Sequence, residues 1–219
     1  MKKCVVYTAI FGNRDVLRDP EQVHADMDYI CYTDNPAALS TTVWNVIPSE
    51  MVFENTVKTA RWFKLHPHLL FPTYDTSVWI DANFTPQGDI SSSIQNYLAQ
   101  HPVAVFTHPI RDCIYEEAQV VINSMPALAS IIEPQMYFYR ETGYPEHQGL
   151  VASGVLFRRH HQPEVIYLME QWWHHIVVFS GRDQLSFNYV AWKHNSCYTL
   201  IKQSIFAHPH FHTRDHGVR

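Results

Sequence analysis

Residues 77–84, "SVWIDANF", run from a short β-branched and aromatic stretch straight into two oxygen-bearing side chains. Ser77 to Ile80 suits a buried strand. Asp81 and Asn83, one small residue apart, then have two readings. They either close a turn by bonding nearby backbone, or share a divalent cation as hard oxygen ligands. In an open α/β sheet the carboxyl end of a strand is where ligands usually bind.

The rest of the chain supports such a sheet. Strands are expected at Cys4 to Ile10, Tyr29 to Thr33, Val43 to Ile47, Val103 to Thr107, Val151 to Arg158 and Cys197 to Ile201. Helical patterns fall at about 55–66, 90–99, 114–123, 127–141, 164–179 and 183–194, punctuated by Pro67, Pro102, Pro126, Pro134 and Pro163, with Asp89 as a helix cap. The alternation predicts an α/β protein, a single Rossmann-like domain over residues 1–219 with a mostly parallel central sheet flanked by helices. No GxGxxG follows the first strand and no GxxxxGK[ST] occurs, which argues against a standard dinucleotide or P-loop site.

With 46% hydrophobic and 17% charged residues, the 219-residue chain can bury one sizeable core. A formal charge of -5 and a pI near 6.3 argue against a nucleic-acid partner, whose phosphates demand a basic face. The amino-terminal apolar run meets Asn13, Arg14 and Asp15 without a small-residue cleavage site, so it reads as a strand and not as a signal peptide. No stretch is long enough to span a bilayer. Cys4, Cys31, Cys113 and Cys197 show no metal-type spacing, and the first two lie in strand patterns, so a reducing, cytoplasmic setting is expected.

Three further constellations invite chemistry. Lys58, Arg61 and Lys64 recur every three residues in "TVKTARWFKL", either a solvated helix face or a phosphate-holding stripe. In "SGRDQLSFN", Ser180 and Asp183 have the spacing of a capping box, while Asp183 and Gln184 would also face a cleft. His208, His210 and His212 in "AHPHFH" share one side of an extended segment, as metal ligands or as a solvated tail.

The blocks "YTAIFGNRDVL", "DYICYTDN", "ARWFKLHPHLLFPTYDTSVWIDANF", "HPIRDCIYEEA", "GLVASGVLFRRH" and "RDQLSFNYVAWK" occur in this order. Together they resemble the TOD/MUCI-type glycosyltransferase-like domain family of plants and bacteria. More distantly, the chain is similar to the glycogenin and lipopolysaccharide galactosyltransferase group. The resemblance implies a GT-A fold and a metal-dependent glycosyltransferase. Its donor would be a nucleotide-diphosphate sugar, a UDP-sugar foremost, and its acceptor a glycan or glycolipid, with peripheral membrane association left open. The implied cofactor is a divalent metal, Mn2+ foremost and Mg2+ second.

Carried onto this sequence, the resemblance implies Asp81, Asn83 and His208 as metal ligands. Tyr7, Thr8, Ala9, Phe11 and Asp34 would contact the nucleoside, Arg61 and Lys64 the donor, and Ser153 and Gly154 the ribose or sugar. Asp183 and Gln184 would face the transferred sugar, as in a retaining enzyme. Arg111, Asp112, Glu116 and Glu117 are acceptor or base candidates, although acidic residues in a first helical turn also suit its dipole. Asn83 departs from the larger group, which carries a second carboxylate there, and leaves one fewer negative charge for a metal. The competing readings are a metal-dependent amide or ester hydrolase and a catalytically silent carbohydrate-binding domain.

Overall fold

A strand covered on both faces must be apolar along its whole length. The segment Cys4–Ile10 (β1) meets that condition, being buried at every residue. In the computed structural model, which describes residues 4–213, it is followed by strands β2 (Met27–Thr33), β3 (Asn45–Pro48), β4 (Thr76–Ile80), β5 (Phe84–Pro86), β6 (Val103–Thr107), β7 (Val151–Arg158), β8 (Thr199–Ile201) and β9 (Phe211–Thr213). The helices are α1 (Thr56–Leu65), α2 (Pro67–Leu70), α3 (Ile90–Tyr97), α4 (Ile114–Ser124), α5 (Ala129–Glu141), α6 (Pro163–Val178) and α7 (Phe187–Lys193).

The main sheet has the order β3-β2-β1-β4-β7-β6-β8, so β4 and its Asp81 end stand at its centre. Only β7 is reversed, antiparallel to both β4 and β6. Alternation along β1 divides the core. Val5, Tyr7 and Ala9 point to the layer containing Phe63, Leu65 and Trp172, whereas Val6 and Ile10 point to the layer with Ile90, Ile94 and Phe211.

Two irregularities shape the rim. Between β6 and β7 the register jumps from Val105–Leu156 to Phe106–Ala152, which releases Ser153 and Gly154 from the β6 ladder. A second, two-stranded ladder of β5 and β9 pairs Phe84 with Thr213 and Pro86 with Phe211.

The expected helix 183–194 is divided. Asp183–Leu185 forms a 3-10 turn and α7 begins only at Phe187. Ser180 does not cap it, because its hydroxyl is buried and donates to Gln135 Oε1 at 2.6 Å. Pro134 lies inside α5 and does not end it.

A charged cleft at the carboxyl ends of the strands

A cleft of about 720 Å³ opens where β1, β4 and the start of β7 reach the rim. Its walls come from Ala9 to Asp15, from α1, from Asp81 to Phe84, from Ala152 to Gly154, from Arg182 to Gln184, and from Ile205 and Phe206.

Asp81 is the first residue beyond β4. Its backbone makes the turn that its residue type favours, donating to Gly154 O at 2.7 Å and accepting from Phe84 N at 2.9 Å. The side chain does something separate. Its Oδ1 accepts from Trp79 Nε1 at 2.7 Å and from Arg61 Nη1 at 3.3 Å, with Lys64 Nζ at 3.6 Å. The turn at Asp81 is thus made by its backbone, while the side chain is engaged by Trp79 and by α1 rather than by nearby backbone. Asn83 lines the same cleft, and its Oδ1 is buried without a hydrogen-bond partner.

Asn55 caps α1 by accepting from Val57 N and Lys58 N. The basic stripe of this helix is not a solvated face. Lys58 Nζ donates to Val177 O at the end of α6, a favourable place for a cation, while Lys64 is fully buried. Lys64 Nζ donates to Asp183 Oδ2 at 2.5 Å, and Arg61 Nε lies 3.3 Å from the same oxygen. That Arg61 contact is ionic only, since its N–H makes no hydrogen bond.

Asp183 Oδ2 also accepts from Ser153 Oγ at 3.0 Å, and its backbone carbonyl accepts from Trp172 Nε1 at 2.9 Å. Burial opposes ionisation of this carboxyl. The charges of Arg61 and Lys64 outweigh it and hold the group well below the usual carboxylate range. Two cations and two carboxylates thus form one compact, balanced cluster at the cleft floor, with Lys64 buried beneath it. Among the described residues, every side-chain contact to Asp183 falls on Oδ2, and the residue lines the cleft.

Gly154 is small because of what it faces. A Cβ there would lie 2.5 Å from the Phe84 ring, with Phe84 itself nearly buried. Asp34 sits at the outer rim, where both carboxylate oxygens accept from Gly12 N at 3.1 Å and brace a turn in which Gly12 and Asn13 have φ of +65° and +52°.

The structure separates other expected site residues from the cleft. Tyr7 is mid-strand and fully buried; its hydroxyl donates to Lys64 O at 2.8 Å and accepts from Arg158 Nη2 at 2.7 Å. Thr8 points to the opposite layer and is also buried. Ala9 and Phe11, further along, do line the cleft.

His208 is not brought to Asp81 and Asn83. Its ring packs on Phe106 and Phe211, its Nδ1 accepts from His210 N at 3.1 Å, and its Nε2 faces the Tyr97 hydroxyl at 2.9 Å. Nδ1 must then be the unprotonated nitrogen and Nε2 the donor, so neither lone pair is free for a metal. Burial, and secondarily His210, push its pKa down to about 4, which keeps the ring neutral. His210 Nδ1 is engaged by Ser93 Oγ at 2.8 Å, and His212 is exposed on β9.

The acceptor candidates also lie off the cleft lining. Arg111 Nε donates to Glu117 Oε2 at 2.6 Å, and Asp112 pairs with His147 at 2.7 Å. Asp112, Glu116 and His147, all exposed, place ligand atoms within 4.8 Å of one another, a geometry a divalent cation could use.

Several lining residues were not anticipated from the sequence: Arg14, Asp15, Trp79, Arg182 and Phe206. Arg182 adjoins the DQ pair and could have been found by asking what flanks it. Phe206 had no local signal, because its place depends on the chain returning from β8.

The fold is an open, mostly parallel α/β sheet with one reversed strand beside its centre and charged side chains converging at the strand ends. The chain belongs to the TOD1/MUCI70 glycosyltransferase-like domain family, whose profile matches residues 1–213. This makes it a glycosyltransferase by class. Among solved structures, mouse xyloside xylosyltransferase 1 in its apo form is similar, with a TM-score of 0.47 and 12% identity, covering 93% of this chain and 85% of that one. A comparison with curated proteins finds no match. No helix among the described residues is long and apolar enough to cross a membrane, and the four cysteines are unpaired.

Proposed function

We propose that this cleft binds a nucleotide-diphosphate sugar and transfers the sugar to a glycan or glycolipid acceptor with retention. The observation that carries the reading is the Asp183 carboxylate, held ionised on the cleft floor by Lys64 and Arg61 beside Gln184. When the bond from the anomeric carbon to the diphosphate oxygen breaks, the electron pair leaves with the oxygen and the carbon gains oxocarbenium character. In this reading the Asp183 carboxylate and the Gln184 amide oxygen, both in the cleft lining, stabilise that positive carbon. The acceptor hydroxyl forms the new bond, and its proton ends on the departing diphosphate.

Ala9 and Phe11 form the wall for the nucleoside, with Asp34 fixing the adjoining loop. Ser153 and Gly154 border the ribose or sugar. Thr8 contributes packing, and Tyr7 acts through Lys64 without touching the donor.

A divalent cation, manganese foremost, has two fitting protein ligands here. Asn83 carries an orphaned buried oxygen, and Asp81 keeps Oδ2 outside its contacts with Trp79, Arg61 and Lys64. His208 does not fit that set, for the tautomer reason given above. Bound there, the ion would stabilise negative charge on the departing diphosphate. Arg111, Asp112, Glu116 and Glu117 remain proposals for a more distant part of the acceptor.

The test is a thermal-shift panel of nucleotide sugars with and without manganese, followed by assay of sugar release. A ligand that binds only the folded state raises the melting temperature. A shift with one donor, and turnover of that donor, is the expected result. Absence of any shift across uridine, guanosine and adenosine diphosphate sugars would refute the reading, and binding without turnover would leave a carbohydrate-binding module.

A further inference from the structure

The charges around the cleft are not equivalent. Arg61 and Lys64 are both committed to Asp81 and Asp183 at separations of 2.5 to 3.6 Å, so their charge is already answered before any ligand arrives. A donor diphosphate carries at least two negative charges into a chain whose formal net charge is -5. It needs cations still available for hydrogen bonding.

Two guanidinium groups in the lining meet that need. Arg182 directly precedes Asp183 in the loop that leads into the 3-10 turn and is half-buried; Arg14 is exposed on the loop after β1. Among the described residues, neither side chain has a close ion pair or a hydrogen bond; the Arg182 charge reaches Asp183 only as the last and smallest of the charges that hold that carboxylate ionised, behind Arg61 and Lys64. Lys58, the remaining member of the α1 stripe, is spent on the Val177 carbonyl. Arg182 also has the right chemistry. Its planar fork can donate two parallel hydrogen bonds to phosphate oxygens, and half-burial lowers the local dielectric, so each bond is worth more than at an open surface.

We infer that Arg182, assisted by Arg14, is the anchor for the donor's diphosphate, whereas Arg61 and Lys64 serve to position and ionise Asp81 and Asp183. This rests on the glycosyltransferase reading above, and it changes which basic residues a donor touches. It also couples binding to chemistry through one peptide bond, because the residue that holds the leaving group is joined to the residue that faces the reacting carbon.

The experiment is calorimetric titration of the full chain in manganese buffer with UDP, GDP and ADP, then with the mononucleotide and nucleoside of the best binder. Arg182→Ala is expected to weaken the diphosphate about tenfold or more, as loss of a charge-assisted phosphate contact does, and to leave the nucleoside unchanged. Arg182→Lys should recover part of that loss, since it keeps the charge and loses the fork. Arg14→Ala should cost less, being exposed.

Arg182→Ala binding the diphosphate as tightly as the parent would overturn this inference while leaving the glycosyltransferase reading intact. A parent protein that binds none of the three diphosphates would overturn both. Melting temperatures of the variants, expected to match the parent, exclude a folding defect as the cause.

Discussion

Asp183→Asn tests the buried cluster through stability alone, with no need to know the substrate. The substitution keeps the size of the side chain and its contact with Ser153 but removes the partner 2.5 Å from Lys64 Nζ. Lys64 has no exposure to solvent, and the remaining carboxylate, Asp81, is 3.6 Å away and shared with Arg61. Removing one member of a buried pair strands the other, at a cost of about 3–5 kcal/mol. For a domain of this size each kcal/mol moves Tm by about 2–4 °C, so Tm should fall by about 6–20 °C. A carboxylate that merely capped a helix would cost about 1 kcal/mol.

The double variant Lys64→Met, Asp183→Asn removes both charges and leaves the Arg61–Asp81 pair intact. It should regain most of the lost stability, because a neutral packed pair avoids the desolvation penalty. Urea denaturation followed by circular dichroism at pH 7 measures both. An Asp183→Asn protein within about 1 kcal/mol of the parent, or a double variant no more stable than the single, would refute the account of the cluster.

Gly154→Ala should force Phe84 aside and narrow the cleft, costing about 1–3 kcal/mol and weakening donor binding; unchanged stability and affinity would show that the 2.5 Å approach is relaxed freely. Trp79→Phe deletes the indole N–H to Asp81 Oδ1 and should cost about 0.5–1.5 kcal/mol, with weaker binding of manganese and donor because Asp81 loses an orienting bond. Burial pushes His160, His175 and His208 down to about 4, so the unfolded chain, titrating near the ordinary histidine value of 6.5, binds protons that the native state refuses. The stability they contribute is full above about pH 6.5 and is lost as pH falls toward 4, and a urea midpoint that stays constant from pH 7 to pH 4.5 would contradict this.

The inner strands of the main sheet were legible because they are buried on both faces and so carry largely apolar runs, whereas the partly exposed edge strands β3 and β8 each begin two residues later than expected. β1, β6 and β7 fall where the residues place them, and α1 starts at its Asn55 cap. β5 and β9 were not legible. Each is three residues long, β5 ends in Pro86, and each exists only because the other lies beside it. The reversal of β7 was equally hidden, since an apolar run does not encode its direction.

At the site, Asp81, Asn83, Asp183 and Gln184 were visible as chemistry-bearing residues at element ends. Burial of Lys64 was not, because three-residue spacing places a lysine on a helix face without saying what covers that face. His208 misled for a related reason. Its period-two spacing described backbone direction, while Tyr97 and the His210 amide decided where its lone pairs went.

The β5–β9 ladder sets the order in which the cleft can be made. Its two strands are separated by most of the chain, and β9 follows directly on the segment that brings Phe206 to the cleft wall. During synthesis the turn at Asp81 to Phe84 leaves the ribosome early and waits without its partner until the last described residues emerge. The closing contact is then among the longest-range in the protein and pays its loop entropy last. A nascent chain stopped between β8 and β9 would hold the strands of its main sheet and the residues of its charged cluster, yet have an unfinished cleft wall. Such a chain would carry the charged cluster without the enclosure, so the pairing of β9 with β5 acts as the final step in building the cleft wall.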